Sequence, residues 1–294
     1  MPESRIHQHD SRAITAAAPD LLGAVALVVT SPPYHNAISY TGHAADPTEN
    51  YRPRQYVDYA GEYMDLLNAV WAQCFMMLRE GGVLAINVGT VLDSGHQFPL
   101  PMDIEHQLLH EGNDWHYYGT IQWNKVTAGV KRAGSLIQQK LPGYWYPNIM
   151  TEHILLFAKG SVSATAINRD SEWNTPWWDI APVPPGQVNH PAPFPEEIPH
   201  RLIKLFTAPG DWVLDPFNGA GATTKAAYDL ERKGLGFDLE SSYVDAAQRR
   251  LLNASSVRSS QLVINPELAR DFVPGKSRGR TRHGAGIATR AKRK

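Results

Sequence analysis

Cysteine is almost missing: 294 residues hold one, Cys74. A single thiol excludes a disulfide framework and any cysteine-rich zinc site. It lies in "WAQCFMMLRE", an apolar stretch at helical spacing, and reads as a core thiol. Long hydrophobic runs are missing too. No segment reaches transmembrane length, and no early run combines a charged start, an apolar centre and a small-residue cleavage site. A cytoplasmic location without membrane contact is therefore expected. His7 and His9 next to Asp10 form a small cluster, but no metal site is expected. The chain carries no internal repeat.

Net charge is small as well, −1, but it hides an asymmetry. The tail from Lys276 to Lys294 holds eight Lys or Arg and no acid, which leaves 20 basic against 29 acidic groups before it. With its Gly and Ser the tail is expected to be disordered, and its charge suits a phosphate backbone or simple solubility.

What is present is a chain long enough for a full core, 43% hydrophobic, with eight Trp and twelve Tyr. Apolar β-branched segments alternate with helical patterns, as in a parallel α/β sheet. "ALVVT", "VLAINVG", "WHYYGTIQW", "EHILLFAKG", "DWVLD" and "LGFDLE" read as strands. "YAGEYMDLLNAVWAQCFMMLRE" reads as a helix stopped by Gly81–Gly82, and "GATTKAAYDLERKG" as one ended by Gly234. "MDIEHQLLHEG" and "SSYVDAAQRRLLNA" are the other helical patterns. Two stretches break the alternation: residues 125–148, polar, basic and aromatic, and residues 161–190, rich in Trp and Pro. Loops this long inside a domain are usually functional or mobile.

Two places carry chemistry. "VLDPFNGAGATTKAA" puts Asp215 at a strand end, then Gly219 and Gly221, then a helix. The glycines permit a tight turn and close approach of a ligand to the backbone, and the helix start offers N–H groups. Twenty-three residues after Asp215, Asp238 ends the next strand, where an acid can take both hydroxyls of a ribose. No Gly-Lys-Ser/Thr follows, so a phosphate loop fits poorly. The second place is "TSPPY", residues 30–34, where an apolar strand ends in two prolines and an aromatic ring.

Together, "LDPFNGAG", "GFDLE", "HPAPFPEEIPHRLI" and "TSPPY" resemble the blocks of amino-methylating DNA methyltransferases. The catalytic block precedes the cofactor block, with an insertion between them, as in the β-class order. The resemblance covers about residues 5–254. It implies an α/β, Rossmann-like S-adenosylmethionine-dependent methyltransferase sheet, circularly permuted, with a small target-recognition insertion. Residues 1–124 would form the catalytic half and 125–190 the target-recognition insertion with a connecting strand. Residues 191–254 would form the cofactor half, and 255–294 a C-terminal extension.

The resemblance also implies roles. For S-adenosyl-L-methionine, Asp10 would meet the adenine amino group, Phe194 the methionine part and Asp238 the ribose. Asp215, Pro216, Phe217, Gly219 and Gly221 would form the loop beside it. Ala222 replaces a Thr usual in the family, a contact that Thr223 or Thr224 could take over. An exocyclic amine is a poor nucleophile because its lone pair is delocalised into the base. Ser31 Oγ and the Pro32 carbonyl would accept its N–H bonds, and Pro32 and Pro33 remove competing backbone donors. Tyr34 would stack on a flipped-out base.

Ser-Pro-Pro-Tyr is similar to the cytosine-N4 type, with adenine N6 as the alternative. Cytosine-C5 chemistry is excluded, because Cys74 stands in a helix after Gln73. A non-catalytic DNA-binding subunit and a structured-RNA methyltransferase are the remaining readings. For DNA, Lys125, Lys131, Arg132 and Lys140 suit phosphates or guanine edges, and Gln138 or Gln139 a base. Tyr144, Trp145 and Tyr146 suit stacking or core packing equally, whereas Trp173, Trp177 and Trp178 are expected to anchor their loop. Double-stranded DNA is the expected partner. The resemblance also allows a homodimer and a cognate restriction endonuclease acting on the same site.

Overall fold

The computed structural model describes residues 2–33, 59–93, 96–111, 114–125, 149–162, 168, 172–183 and 195–263. Residues 1–255 form one unit and 256–294 another, of which only the helical backbone to Val263 is described. In chain order the strands are β1 (Ser4–Gln8), β2 (Val25–Thr30), β3 (Leu78–Val88), β4 (Val91–Asp93), β5 (His96–Phe98), β6 (Trp115–Asn124), β7 (Thr151–Lys159), β8 (Trp177–Asp179), β9 (Trp212–Asp215) and β10 (Lys233–Asp238). The helices are α1 (Ile14–Ala17), α2 (Met64–Met77), α3 (Leu100–His110), α4 (Glu197–Phe206), α5 (Ala222–Asp229) and α6 (Ser241–Val263). None of the described helices is long and apolar enough to cross a membrane.

Eight strands form one sheet in the order β1-β10-β9-β2-β3-β7-β6-β8, and β4 with β5 forms a separate hairpin. β1, β10, β9, β2 and β3 run parallel, while β7 is antiparallel to both β3 and β6. The first strand of the chain thus lies beside the last, with Gln8 opposite Asp238. All six residues of β2 are buried, as the centre of a sheet covered on both faces requires. One face packs Val28, Leu84 and Leu214 under Ile14, Leu67, Trp71 and Ile104 of α1, α2 and α3. The other packs Leu27, Val29, Val83 and Ala85 under Ile198, Leu202, Ala226 and Ala227 of α4 and α5.

Two element ends differ from expectation. Gly81–Gly82 does not stop α2. Leu78 already has extended backbone angles, and β3 begins there. The β2–β3 ladder instead skips residues between Val25–Leu78 and Leu27–Val83. Gly81, at φ 73°, makes that bulge possible, and a Cβ on Gly82 would lie 2.9 Å from the Arg79 carbonyl oxygen. Gly234 likewise lies inside β10, and α5 ends at Asp229, with Glu231 turning the chain at φ 66°.

Candidate active site at the carboxyl edge of the sheet

The five parallel strands end on one edge, the side on which open α/β sheets place ligands. Their ends deliver Asp10, Asp238, Asp215, Ser31 and Asn87. Three of these are carboxylates drawn from opposite ends of the chain.

Asp215 is 4% exposed. Its Oδ1 accepts from the Thr30 hydroxyl at 2.7 Å and from the Phe217 N–H at 3.0 Å, and the Thr223 hydroxyl also donates to the carboxylate. Burial nevertheless dominates and pushes the carboxyl up to about 6. Asp238 is held by backbone, with Oδ2 accepting from Gly219 N–H at 2.9 Å and Oδ1 from Glu240 N–H at 3.0 Å. Burial raises this carboxyl as well. The second acid therefore shapes the glycine loop directly.

The loop has no room for a side chain at Gly221. Gly221 has φ 82°, and a Cβ there would lie 2.7 Å from the Ala247 Cβ of α6. Asn218 is buried, its N–H donating to the Phe237 carbonyl at 2.9 Å and its Oδ1 accepting from the Thr224 hydroxyl at 3.1 Å. Gly236 makes that amide possible, since a Cβ there would stand 2.6 Å from Asn218 Cγ. Thr223 and Thr224 are both fully buried and face inward, Thr223 toward Asp215 and the Val29 carbonyl. Thr223, expected at the cofactor surface, acts on the loop from beneath.

Asp10 stands two residues after β1 and caps the turn Ser11–Ala13. Both its oxygens accept from the Arg12 guanidinium, one at 2.6 Å, and Arg12 holds the carboxyl below its usual range. Ser11 is buried and donates to the Pro216 carbonyl at 2.5 Å, joining the N-terminal segment to the glycine loop. Phe217 turns its ring edge-on to Trp71, with centroids 6.3 Å apart, so it packs on the core below the loop.

Just after β2, Ser31 is partly exposed and Pro32 buried, while the Pro33 carbonyl accepts from the Tyr63 hydroxyl at 2.8 Å. That bond fixes the backbone just before Tyr34. Tyr34, Phe194, Lys131, Arg132, Gln138, Gln139, Lys140, Tyr144, Trp145 and Tyr146 lie outside the described residues.

Lys125 departs from its expected role. It does not stand out toward a phosphate: its Nζ pairs with Glu152 at 2.5 Å, the side chains being 17% and 11% exposed. It also lies over the Trp123 ring. A buried carboxylate requires such a partner, and pairing across β6 and β7 supplies it. Of the three tryptophans expected to anchor a loop, Trp178 is buried and Trp173 packs on Arg201 and His200, but Trp177 is half exposed. Cys74 is fully buried, and burial pushes its thiol up.

Several site residues had no sequence signal of their own. Thr30, Ser11, Asn218, Asn87 and Glu152 are polar residues buried at this edge. Arg250 of α6 donates to the Ala220 carbonyl at 3.2 Å and pairs with Glu196, which Lys225 of α5 also meets at 3.2 Å. This cluster ties the glycine loop to the block that follows Phe194. A polar residue inside an otherwise apolar run is the one clue that points to such sites.

A family model described as DNA methylase matches residues 25–249. The type II methyltransferase M.MjaI of Methanocaldococcus jannaschii is 31% identical over 198 residues, which cover 60% of this chain and 63% of that one. M.BglII of Bacillus subtilis, also a type II methyltransferase, is 28% identical over 84% of this chain and 69% of its own length. The chain thus spans less than two thirds of the archaeal relative. Among solved structures, TTHA0409 of Thermus thermophilus in complex with S-adenosyl-L-methionine superposes with a TM-score of 0.62 at 28% identity. The match covers 86% of this chain and 95% of that one. The cytosine-N4-specific PvuII DNA methyltransferase shares the fold, with a TM-score of 0.65 over 90% and 94% of the two chains at 17% identity.

Proposed function

Because the chain belongs to the DNA methylase family, we propose that it methylates the exocyclic N4 of a flipped-out cytosine in double-stranded DNA, using S-adenosyl-L-methionine. One observation carries this reading. Ser31 and Pro32 directly follow the central strand, which lies beside the strand of Asp215, so acceptors for an amine share an edge with the glycine loop and Asp238.

The residues fit the cofactor. Asp238 keeps a further lone pair on each oxygen beyond its two backbone bonds, enough for the two hydroxyls of a ribose. Gly219 carries no side chain, so the loop before α5 lets a ligand approach the backbone closely there. When bound, S-adenosylmethionine supplies a methyl group on a sulfonium that leaves as a neutral thioether. No strong base is then needed, and the chain contributes positioning and electrostatics. Arg12 donates twice to each oxygen of Asp10, so an adenine amino group would reach Asp10 by displacing part of that pairing.

Ser31 Oγ and the Pro32 carbonyl accept the two N–H bonds of the amine and draw the nitrogen toward tetrahedral geometry as its lone pair forms the new N–C bond. The surplus proton leaves from that nitrogen to water. Tyr34 stacks on the extruded base, worth about 1–3 kcal/mol against the few kcal/mol that unstacking costs. The cytosine assignment rests on Ser at position 31. Relatives named as type II methyltransferases support a pairing with a restriction endonuclease.

The test is to incubate the protein with tritiated S-adenosylmethionine and unmethylated mixed-sequence DNA, and to separate the nucleosides. Label in N4-methylcytosine is expected. Label in N6-methyladenine would overturn the base assignment and keep the mechanism, and no label in DNA would overturn the reading.

A further inference from the structure

Asn87 is the last residue but one of β3 and stands one step beyond the final Thr30–Ile86 pair of the ladder, just as Ser31 is the first residue after β2. Ala85, two residues back on β3, lies in the same apolar cluster as Val29, so Asn87 is on that face of the sheet, and Ser31 follows Val29 by the same two residues. Asn87 is 3% exposed, and its Nδ2 donates to Glu152 Oε2 at 2.7 Å. The other oxygen of Glu152 takes Lys125. Asn87 Oδ1 is buried and has no partner among the described residues.

A buried amide oxygen left without a donor costs free energy that a fold normally avoids. Here its direction is also fixed. A carboxylate only accepts, so Glu152 commands the NH2 side of the amide, and the oxygen must point the other way. Lys125 prevents Glu152 from being a lone buried charge and holds it still.

Resting on the methyl-transfer reading above, we propose that Glu152, clamped by Lys125, is a positioning residue. It keeps the Asn87 carbonyl oxygen free of any donor among the described residues, and when the base amine arrives the Ser31 hydroxyl rotates to place its proton on that oxygen. Ser31 Oγ then has its lone pairs directed at the N–H of the incoming base amine. The assignment gives Lys125 a task inside the protein in place of a DNA phosphate, and it explains why a charged pair sits at a nearly closed site.

The full-length protein with unmethylated DNA tests this. Glu152→Gln keeps the shape but allows the Asn87 amide to flip, since Gln can donate as well as accept. Single-turnover methyl transfer should slow by about tenfold or more, with KM for DNA and the Kd for S-adenosylmethionine unchanged. Asn87→Ala should give the same split, and it carries the test alone if Glu152→Gln fails to fold. A wild-type rate in either folded variant, or a loss that appears in KM or Kd instead, would overturn the inference while leaving the methyl-transfer reading intact. Wild-type protein that labels no DNA would overturn both.

Discussion

Thr30→Val is the substitution whose consequence follows most directly from the geometry. It deletes one O–H donor, nearly without change in volume, from a carboxylate that is 4% exposed. Burial already raises Asp215 from an ordinary 3.8 to about 6, against the pull of three donors. Folded protein therefore binds more protons than unfolded chain between those values, and this group's contribution to stability falls as pH rises through that window. At about 1.4 kcal/mol per pKa unit, the loss is about 3 kcal/mol once Asp215 is ionised. A hydrogen bond to the charged form is worth about 1.5–3 kcal/mol, and one to the neutral acid about 0.5–1.5 kcal/mol. Removing it should lift the Asp215 carboxyl further and carry the falling limb past neutrality. Urea unfolding of wild type and variant at about pH 5 and pH 8 measures this. The variant should lose about 1 kcal/mol at the lower pH and two to three times as much at the higher. Equal losses at both would refute the claim that the hydroxyl serves an ionisable, buried Asp215.

Three further outcomes are expected. Asp238→Ala should weaken S-adenosylmethionine binding by about tenfold to a hundredfold in titration calorimetry, from about 1.5–3 kcal/mol of hydrogen bonding to a charged group; an unchanged Kd would reject its ribose role. Gly221→Ala forces a Cβ to within 2.7 Å of Ala247 Cβ at φ 82° and should lower the melting temperature by several degrees. Lys125→Met should destabilise by about 3 kcal/mol, by leaving Glu152 buried without its counter-charge, yet leave the salt dependence of DNA binding unaltered. A salt slope reduced by about one would instead mark Lys125 as a phosphate contact.

What the sequence determined is what is local. Asp215, Gly219, Gly221 and Asp238 stand within 24 consecutive residues, and strand, turn and helix propensities along that stretch place them without outside help. The same is true of the buried strand at residues 25–30 and of the prolines that end it. Element ends were less legible. Gly81 and Gly234 look like helix stops because glycine commonly ends helices, but each lies in a strand where a bulge or a crowded neighbour requires it. Only the tertiary structure decided the contacts across the sheet. Thr30 meets Asp215 over 185 positions of sequence, and Gln8 pairs with Asp238 because β1 docks on β10 at the outer edge. Lys125, basic in a basic stretch, reads as a DNA contact until β6 and β7 align and set Glu152 against it. Burial is a property of the assembled sheet, and a charge's role depends on which carboxylate the fold brings to it.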